Sequence, residues 1–111
     1  MHEYRKATAA VASGEMTSAA IAIHQYETAL YQLPAGSEGV TGGLTFAGCT
    51  NPTGTFASIV DSNGDAVTAT VVAGSWQPIR SGLFGMPYIK IVNASAQSTA
   101  RTITVTGHAP R

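Results

Sequence analysis

Apolar and polar residues alternate over several short stretches of the chain, with the period of two that is typical of half-buried β-strands. Near the end of the chain, Ile89 and Ile91 alternate with polar or amphipathic neighbours. Ile103 and Val105 then alternate with threonines, after an interval of small and polar residues at 93–98. We therefore predict two strands joined as a β-hairpin.

The dipeptide Asn63-Gly64 is the most specific local signal, because Asn-Gly adopts two successive positive φ angles and so builds a type I′ hairpin turn. A two-residue loop at this point would pair Val60 with Val67. Ile59 would then share the polar face with threonines. The predicted core face of this hairpin comprises Phe56, Val60, Val67, Ala69 and Val71.

The segment 16–33 is open to two interpretations. Met16, Ala20, Ile23, Leu30 and Leu33 would form one stripe of a helix, whereas Ala19, Ile21 and Ile23 alternate as in a strand. We favour two strands, interrupted near 24–27.

The remaining segments carry turn and edge signals. Four glycines and a proline predict a surface loop at 34–43, followed by a short strand at Leu44–Ala47. A turn is predicted at Asn51–Gly54. Trp76–Ile79 is predicted as a short edge strand, and the proline and glycines of Gly82–Pro87 predict a corner.

Composition supports one β domain. The 111 residues suffice for a single core, and Val, Ile and Thr together number 29 against 21 for Leu, Met, Glu, Gln, Lys and Arg together. We predict an all-β fold: a single antiparallel β-sandwich, jelly-roll or Ig-like, of seven or eight short strands over 16–108. Residues 1–15 contain no Ile, Leu or Phe and are predicted to be an extended N-terminal arm outside the core, with 109–111 as a C-terminal tail.

Charge and cysteine content exclude several classes of protein. The net charge is zero and only 11% of residues are charged, which argues against nucleic-acid binding. The single cysteine permits no intramolecular disulfide and indicates synthesis in a reducing compartment. No apolar run is long enough to span a membrane, so we expect no membrane association.

The sequence offers no grouping of residues for catalysis or metal binding. His2, His24 and His108 share no spacing that would bring two ring nitrogens to one metal ion. The segment 61–65 resembles part of a calcium loop but lacks its glycine and its glutamate, and a hairpin turn explains the same residues. Cys49 has no neighbouring base and is expected to be a small buried thiol. We therefore predict no enzyme activity, no catalytic residue, no metal and no cofactor.

Five residues are candidates for contact with a partner. Tyr4, Arg5 and Lys6 combine an aromatic ring with two cationic donors in the predicted arm, which would order against a neighbouring subunit or remain a frayed terminus. Trp76 and Phe84 belong to an aromatic group in an irregular segment. That group is either a plug at one end of the core or an anchor for a neighbouring subunit.

The order of several motifs between residues 16 and 106 is similar to that in a known family. These motifs are Thr17-Ser18-Ala19-Ala20-Ile21, Gly43-Leu44-Thr45-Phe46, Asp61-Ser62-Asn63-Gly64, Val72-Ala73-Gly74, Leu83-Phe84-Gly85 before Pro87-Tyr88-Ile89-Lys90-Ile91, and Ala100-Arg101-Thr102-Ile103-Thr104-Val105. In this order of motifs the chain resembles small virion proteins of tailed bacteriophages.

That resemblance implies a β-sandwich attached to a particle and assigns no catalytic residue. The expected partners are the major capsid protein or other virion subunits, with the chain forming a homo-oligomer on the virion after synthesis in the host cytoplasm. A head decoration (cement) subunit is the leading expectation, and a neck, head–tail connector or tail accessory protein is the alternative. An alternative from a different functional class is a carbohydrate-binding module, because Trp76 and Tyr88 could stack on a sugar ring.

Overall fold

The computed structural model of the chain describes residues 4–38 and 43–109. Over these ranges the fold is all-β, with two short 3-10 helices at Ile23–Gln25 and Ser81–Gly85. Two antiparallel sheets make up the β-sandwich that the alternation predicts. The strands are β1 (Tyr4–Val11), β2 (Ile21–Ala22), β3 (Thr28–Gln32), β4 (Leu44–Cys49), β5 (Ala57–Ser58), β6 (Thr68–Ala69), β7 (Trp76–Pro78), β8 (Tyr88–Val92) and β9 (Arg101–His108).

The strand order explains how the two layers are built. One sheet has four strands in the order β1-β9-β3-β7. The other has β2, β8 and β4 in that order, and β5 and β6 both pair with the remaining edge of β4. The long strands β1 and β9 pair over eight residues, from Tyr4 opposite His108 to Val11 opposite Arg101.

The core lies between the two sheets and is filled by the alternate, inward-facing residues of each strand. The four apolar residues Ile89, Ile91, Ile103 and Val105 are completely buried, so the alternation correctly identified them as core residues. Tyr31 from one sheet and Phe46 from the other meet edge to face, with ring centroids 6.4 Å apart. Aromatic pairs of this geometry are favoured beyond their simple burial.

The predicted hairpin between β8 and β9 is wrong. β8 pairs with β2 and β4, whereas β9 pairs with β1 and β3, so the chain crosses from one sheet to the other between them. An apolar face is required equally by two strands side by side and by two strands facing each other across a core. The alternation therefore does not distinguish these arrangements.

The turn at Asn63-Gly64 is present, but the predicted type I′ geometry and register are wrong. Gly64 has a φ of 82°, whereas no described residue other than glycine has a positive φ. The Asp61 carboxylate accepts hydrogen bonds from the Asn63 and Asp65 backbone N–H groups, at 2.8 and 3.0 Å. This side-chain-stabilised turn contains one residue more than a type I′ loop, since Asp61 pairs with Asp65.

The extra turn residue shifts the hairpin register by one. Val60 bridges to Ala66 instead of Val67, and Val60 is half exposed. Ile59 packs against the core in its place, together with Val67 and Ala69. A shift of one residue exchanges the two faces of a strand, which is why the predicted positions of Ile59 and Val60 are reversed.

The prediction that residues 1–15 lie outside the core is wrong for Tyr4–Val11. This segment is β1, an edge strand of the four-stranded sheet, and its Ala9 and Val11 are buried. Their small side chains suffice because β9 supplies the hydrogen-bonding partner and the opposite sheet covers them. The first three residues, and Pro110 and Arg111 of the predicted tail, lie outside the described residues, while Ala109 of that tail is buried.

Other expectations are confirmed. Residues 16–33 form two strands separated by the 3-10 helix at Ile23–Gln25. The strand predicted at Leu44–Ala47 is β4, which continues to Cys49, and Trp76–Pro78 is the predicted edge strand. The corner near Gly82–Pro87 contains the second 3-10 helix. The loop 34–43 begins with a turn closed by the Ser37 N–H on the Pro34 oxygen, and residues 39–42 lie outside the described part.

A hydrogen-bond network joins two loops at one end of the sandwich. The Gln97 side chain is buried and exchanges two hydrogen bonds with the Glu38 backbone, at 2.8 and 2.7 Å. The Glu38 carboxylate accepts a hydrogen bond from the Ser98 N–H at 2.7 Å and lies 3.6 Å from the Arg101 guanidinium. Arg101 in turn donates to the Gly36 oxygen at 2.7 Å. The buried amide therefore acts like a strand partner for the loop backbone.

Candidate functional site

The four-stranded sheet presents one face to the core and the other to the surroundings. We call the second surface the outer face. The strand registers place on it the side chains that alternate with the buried ones. It comprises Tyr4, Lys6, Thr8 and Ala10 of β1, Thr102, Thr104, Thr106 and His108 of β9, Thr28, Leu30 and Gln32 of β3, and Trp76 and Pro78 of β7.

Large apolar side chains are unusually exposed on the outer face. Tyr4 is 69% exposed, Trp76 45% and Leu30 40%. Leu30 lies opposite Pro78 on one side and Thr106 on the other, so these three side chains form one row across the sheet. Trp76 lies opposite Gln32 in the next row. Exposed aromatic and aliphatic residues clustered on one surface are typical of binding sites for proteins or ligands.

A shallow groove of about 380 Å³ crosses the outer face beside Tyr4. The Tyr4 ring meets the His108 ring edge to face, with centroids 4.3 Å apart and planes at 61°. This contact fixes the ring above the sheet and forms one wall of the groove. The groove is lined by Tyr4, Thr28, Ala29, Leu30, Pro78, Ile79, Thr106, Gly107 and His108.

The outer face is almost free of charge. Lys6 is its only Lys, Arg, Asp or Glu residue, and most of the other polar groups are threonine hydroxyls. Removing neutral hydroxyls and apolar groups from water costs far less than removing charged groups. The surface is therefore suited to binding another surface and has no carboxylate for proton transfer.

Three of the five residues predicted to contact a partner share the outer face: Tyr4, Lys6 and Trp76. Arg5 points to the other side of β1, near Tyr26. Burial raises the pKa of the Tyr26 hydroxyl, and the positive charge of Arg5 partly offsets that effect. Phe84 is partly buried and packs against the core, as expected for the core interpretation of the aromatic group.

Sequence reasoning missed Leu30, Pro78 and His108 as members of this surface. For Leu30 a signal was present, because Ala29 and Tyr31 of β3 and the following Leu33 are buried, and Leu30 is apolar out of phase with them. An apolar residue on the polar face of a strand indicates a second use for that face. His108 and Pro78 carried no such signal, because only the register brings them beside Tyr4 and Leu30.

The described residues contain no group of three or more His, Cys, Asp or Glu side chains able to hold a metal ion. Asp61, the best candidate from the sequence, already uses one carboxylate oxygen for two backbone N–H groups. The His24 ring contacts the Pro87 oxygen and the Tyr88 ring. Cys49 is a free, partly buried thiol. Burial raises the pKa of the Tyr31 hydroxyl to about 12.

The two aromatic residues considered for sugar stacking do not form one platform. Trp76 belongs to β7 in the four-stranded sheet, whereas Tyr88 belongs to β8 in the five-stranded sheet. Tyr88 is partly buried and its ring packs against His24, with centroids 5.1 Å apart. A sugar ring on Trp76 would instead have Gln32 and the threonines of the outer face as polar neighbours.

Comparisons of the chain with models of protein families, with curated proteins and with solved structures found no match. Within residues 4–38 and 43–109, no helix has the length and hydropathy needed to cross a membrane.

Proposed function

We propose that this chain is a structural, non-catalytic subunit of a tailed-bacteriophage particle, and specifically a decoration (cement) subunit that binds the head. The observation that carries the proposal is the outer face, a nearly neutral surface with exposed Tyr4, Leu30 and Trp76 and with a shallow groove lined by Tyr4 and Leu30. The resemblance of the motif order to small virion proteins supports attachment to a particle, and the major capsid protein is the proposed partner.

The chemistry of the outer face favours attachment to a protein surface. Aromatic residues contribute disproportionately to the binding energy of protein interfaces, and polar rims around them exclude water. Trp76 and Tyr4 lie at opposite edges of the sheet, with threonines of β9 and β3 between them. A capsid surface placed across the four strands would contact both rings and the groove together.

Particle binding by outer-face variants tests this proposal. Leu30→Ser and Trp76→Ala remove exposed apolar groups from the outer face, so we expect each to weaken binding to particles that lack the chain by about tenfold. Val60→Ser is the matched control, because Val60 is also half exposed but lies at the turn beside the five-stranded sheet. Binding of both outer-face variants at the level of Val60→Ser would refute the assignment of this surface.

The alternatives predict different outcomes in related assays. A neck or tail accessory protein would bind through the same outer face but would label only the head–tail junction or the tail in immunogold micrographs. A carbohydrate-binding module would bind a defined glycan on an array and lose that binding in Trp76→Ala. The separation of Trp76 from Tyr88 on different sheets makes the carbohydrate proposal the weaker one.

A further inference from the structure

The edges of the two sheets differ in how they are protected against pairing with another chain. β7 has three residues and ends at Pro78, and β2, β5 and β6 have two residues each. Short edge strands and proline are common protections, because a long free edge is a template for another strand. β1 has eight residues, contains no proline and pairs with β9 in one unbroken register. It is therefore the longest edge among the described strands, protected only by the charged side chains of Arg5 and Lys6 and by Ala19, which covers its end at Ala10.

The hydrogen bonds of Ala10 show which backbone groups of β1 face outward. The Ala10 oxygen accepts a hydrogen bond from the Ala19 N–H at 2.8 Å, so Ala10 faces away from β9. Backbone groups of an antiparallel strand point alternately to its two sides. Lys6 and Thr8 consequently direct their N–H and C=O groups to the free edge, and β1 pairs with no described strand other than β9.

We propose that the free edge of β1 binds the same edge of a second copy, antiparallel across a twofold axis at Ala7. In this register Lys6 of each copy forms a hydrogen-bonded pair with Thr8 of the other, which gives four backbone hydrogen bonds. The two four-stranded sheets then become one continuous sheet of eight strands. The inference does not rest on the proposed function, since it follows from the edge alone.

The charge pattern and the Ala10 contact select this register over its neighbours. Centring the axis on Lys6 would place two lysines opposite each other, which is destabilising. Centring it on Thr8 would require Ala10, whose oxygen is already bound to Ala19. With the axis at Ala7, Arg5 faces Ala9 and Lys6 faces Thr8, so no like charges are opposed. Because β1 can pair with β1 of another copy in this register without opposing like charges, a second copy of the chain is the partner that fits this edge.

The pairing is confined to Lys6–Thr8, because the next pair in this register would bring Tyr4 of one copy against Ala10 of the other, whose outward oxygen already accepts the Ala19 N–H.

Sedimentation equilibrium of the full chain tests the dimer. The interface is small, so we expect a monomer–dimer equilibrium within about 1 μM to 1 mM protein. Thr8→Pro removes the outward N–H group while leaving the bonds to β9, and should weaken dimerisation at least about tenfold. Thr8→Val keeps the N–H group and should dimerise like the original chain. A monomer at 1 mM, or equal loss of dimer in both variants, would overturn the proposal.

Symmetric cross-linking tests the register and remains informative if Thr8→Pro does not fold. In a Cys49→Ser background, Ala7→Cys places two thiols opposite each other in a non-hydrogen-bonded pair, close enough for a disulfide. Ala10→Cys is the matched control, because its partner position is Tyr4. Mild oxidation should yield covalent dimer for Ala7→Cys and little for Ala10→Cys. Equal yields, or no dimer from Ala7→Cys, would refute the register.

Discussion

Gly107 is the position where the packing of the four-stranded sheet is least tolerant of change. It lies in β9 between Arg5 of β1 and Ala29 of β3, and it is buried. A Cβ atom at this position would lie 2.8 Å from the Ala29 Cα and would also overlap the Thr28 carbonyl oxygen. Carbon atoms pack at about 3.5–4.0 Å, so the strands must separate to admit the methyl group. We therefore predict that Gly107→Ala is destabilising.

The magnitude follows from two opposing effects. Forcing an extra carbon into a packed interior costs about 1–3 kcal/mol, and the upper value applies here because the neighbouring atoms are backbone. Replacing glycine lowers the entropy of the unfolded chain, which stabilises by about 0.4–1 kcal/mol. The net loss is about 2 kcal/mol. For 111 residues this corresponds to a fall in melting temperature of about 9 °C.

Thermal unfolding followed by circular dichroism measures this effect. Gly82→Ala is the matched control: Gly82 lies in the second 3-10 helix, without a positive φ, and no atom would lie within 4 Å of its added Cβ. The control should gain or retain stability, because it has the entropic benefit without the steric cost. If Gly107→Ala melts within about 2 °C of Gly82→Ala, β3 and β9 do not approach as described.

Three further predictions concern turns, pH and metal. Gly64→Val should lower stability by about 1 kcal/mol or more, because Gly64 has a positive φ that valine rarely adopts, and Gly64→Asn should lower it less. Equal melting temperatures for both variants and the original chain would refute the turn geometry. Hydrogen bonds from Ser98, aided by the nearby Arg101 charge, lower the pKa of Glu38. The charged form therefore stabilises the fold above the ordinary glutamate pKa, and this stability is lost as pH falls through the lowered pKa. The melting temperature of the original chain minus that of Glu38→Gln should shrink at acid pH, and a difference constant from pH 7 to pH 3 would contradict this. Dialysis against a chelator should leave the melting curve unchanged, whereas a fall that calcium restores would make 61–65 a metal site.

Alternation identified buried positions better than it identified neighbouring strands. Ile89, Ile91, Ile103 and Val105 are in the core as predicted, because burial of one face is a local consequence of strand geometry. Which strands pair depends on contacts between distant parts of the chain. The path from β8 to β9 crosses between sheets, and no residue between them signals that crossing.

The N-terminal strand was missed because its buried side chains are small. Ala9 and Val11 alternate with Thr8 and Ala10, but alanine contributes little to a hydrophobic pattern. The strand forms because β9 offers eight residues of partner backbone. Removal of residues 1–14, which would be harmless for a mobile arm, would instead delete an edge strand and two core side chains.

The candidate site was predictable only in part. The aromatic character of Tyr4 and Trp76 is visible in the sequence, but their common face depends on the order of β1, β9, β3 and β7. Arg5 and Phe84 were separated from that face by strand alternation and by packing against the core. Leu30 carried the clearest unused signal, an apolar residue on the otherwise polar side of a strand.

The most direct measurement of the proposed role is the ratio of this chain to the major shell protein in intact, gradient-purified phage particles, determined by quantitative mass spectrometry. A decoration subunit should be present at a fixed ratio to the shell protein that does not change through successive gradients. A ratio of a few copies per particle would place it at the neck or tail instead. Its absence from intact particles, or a ratio that falls with each purification step, would contradict the proposal that it is a structural subunit of the virion.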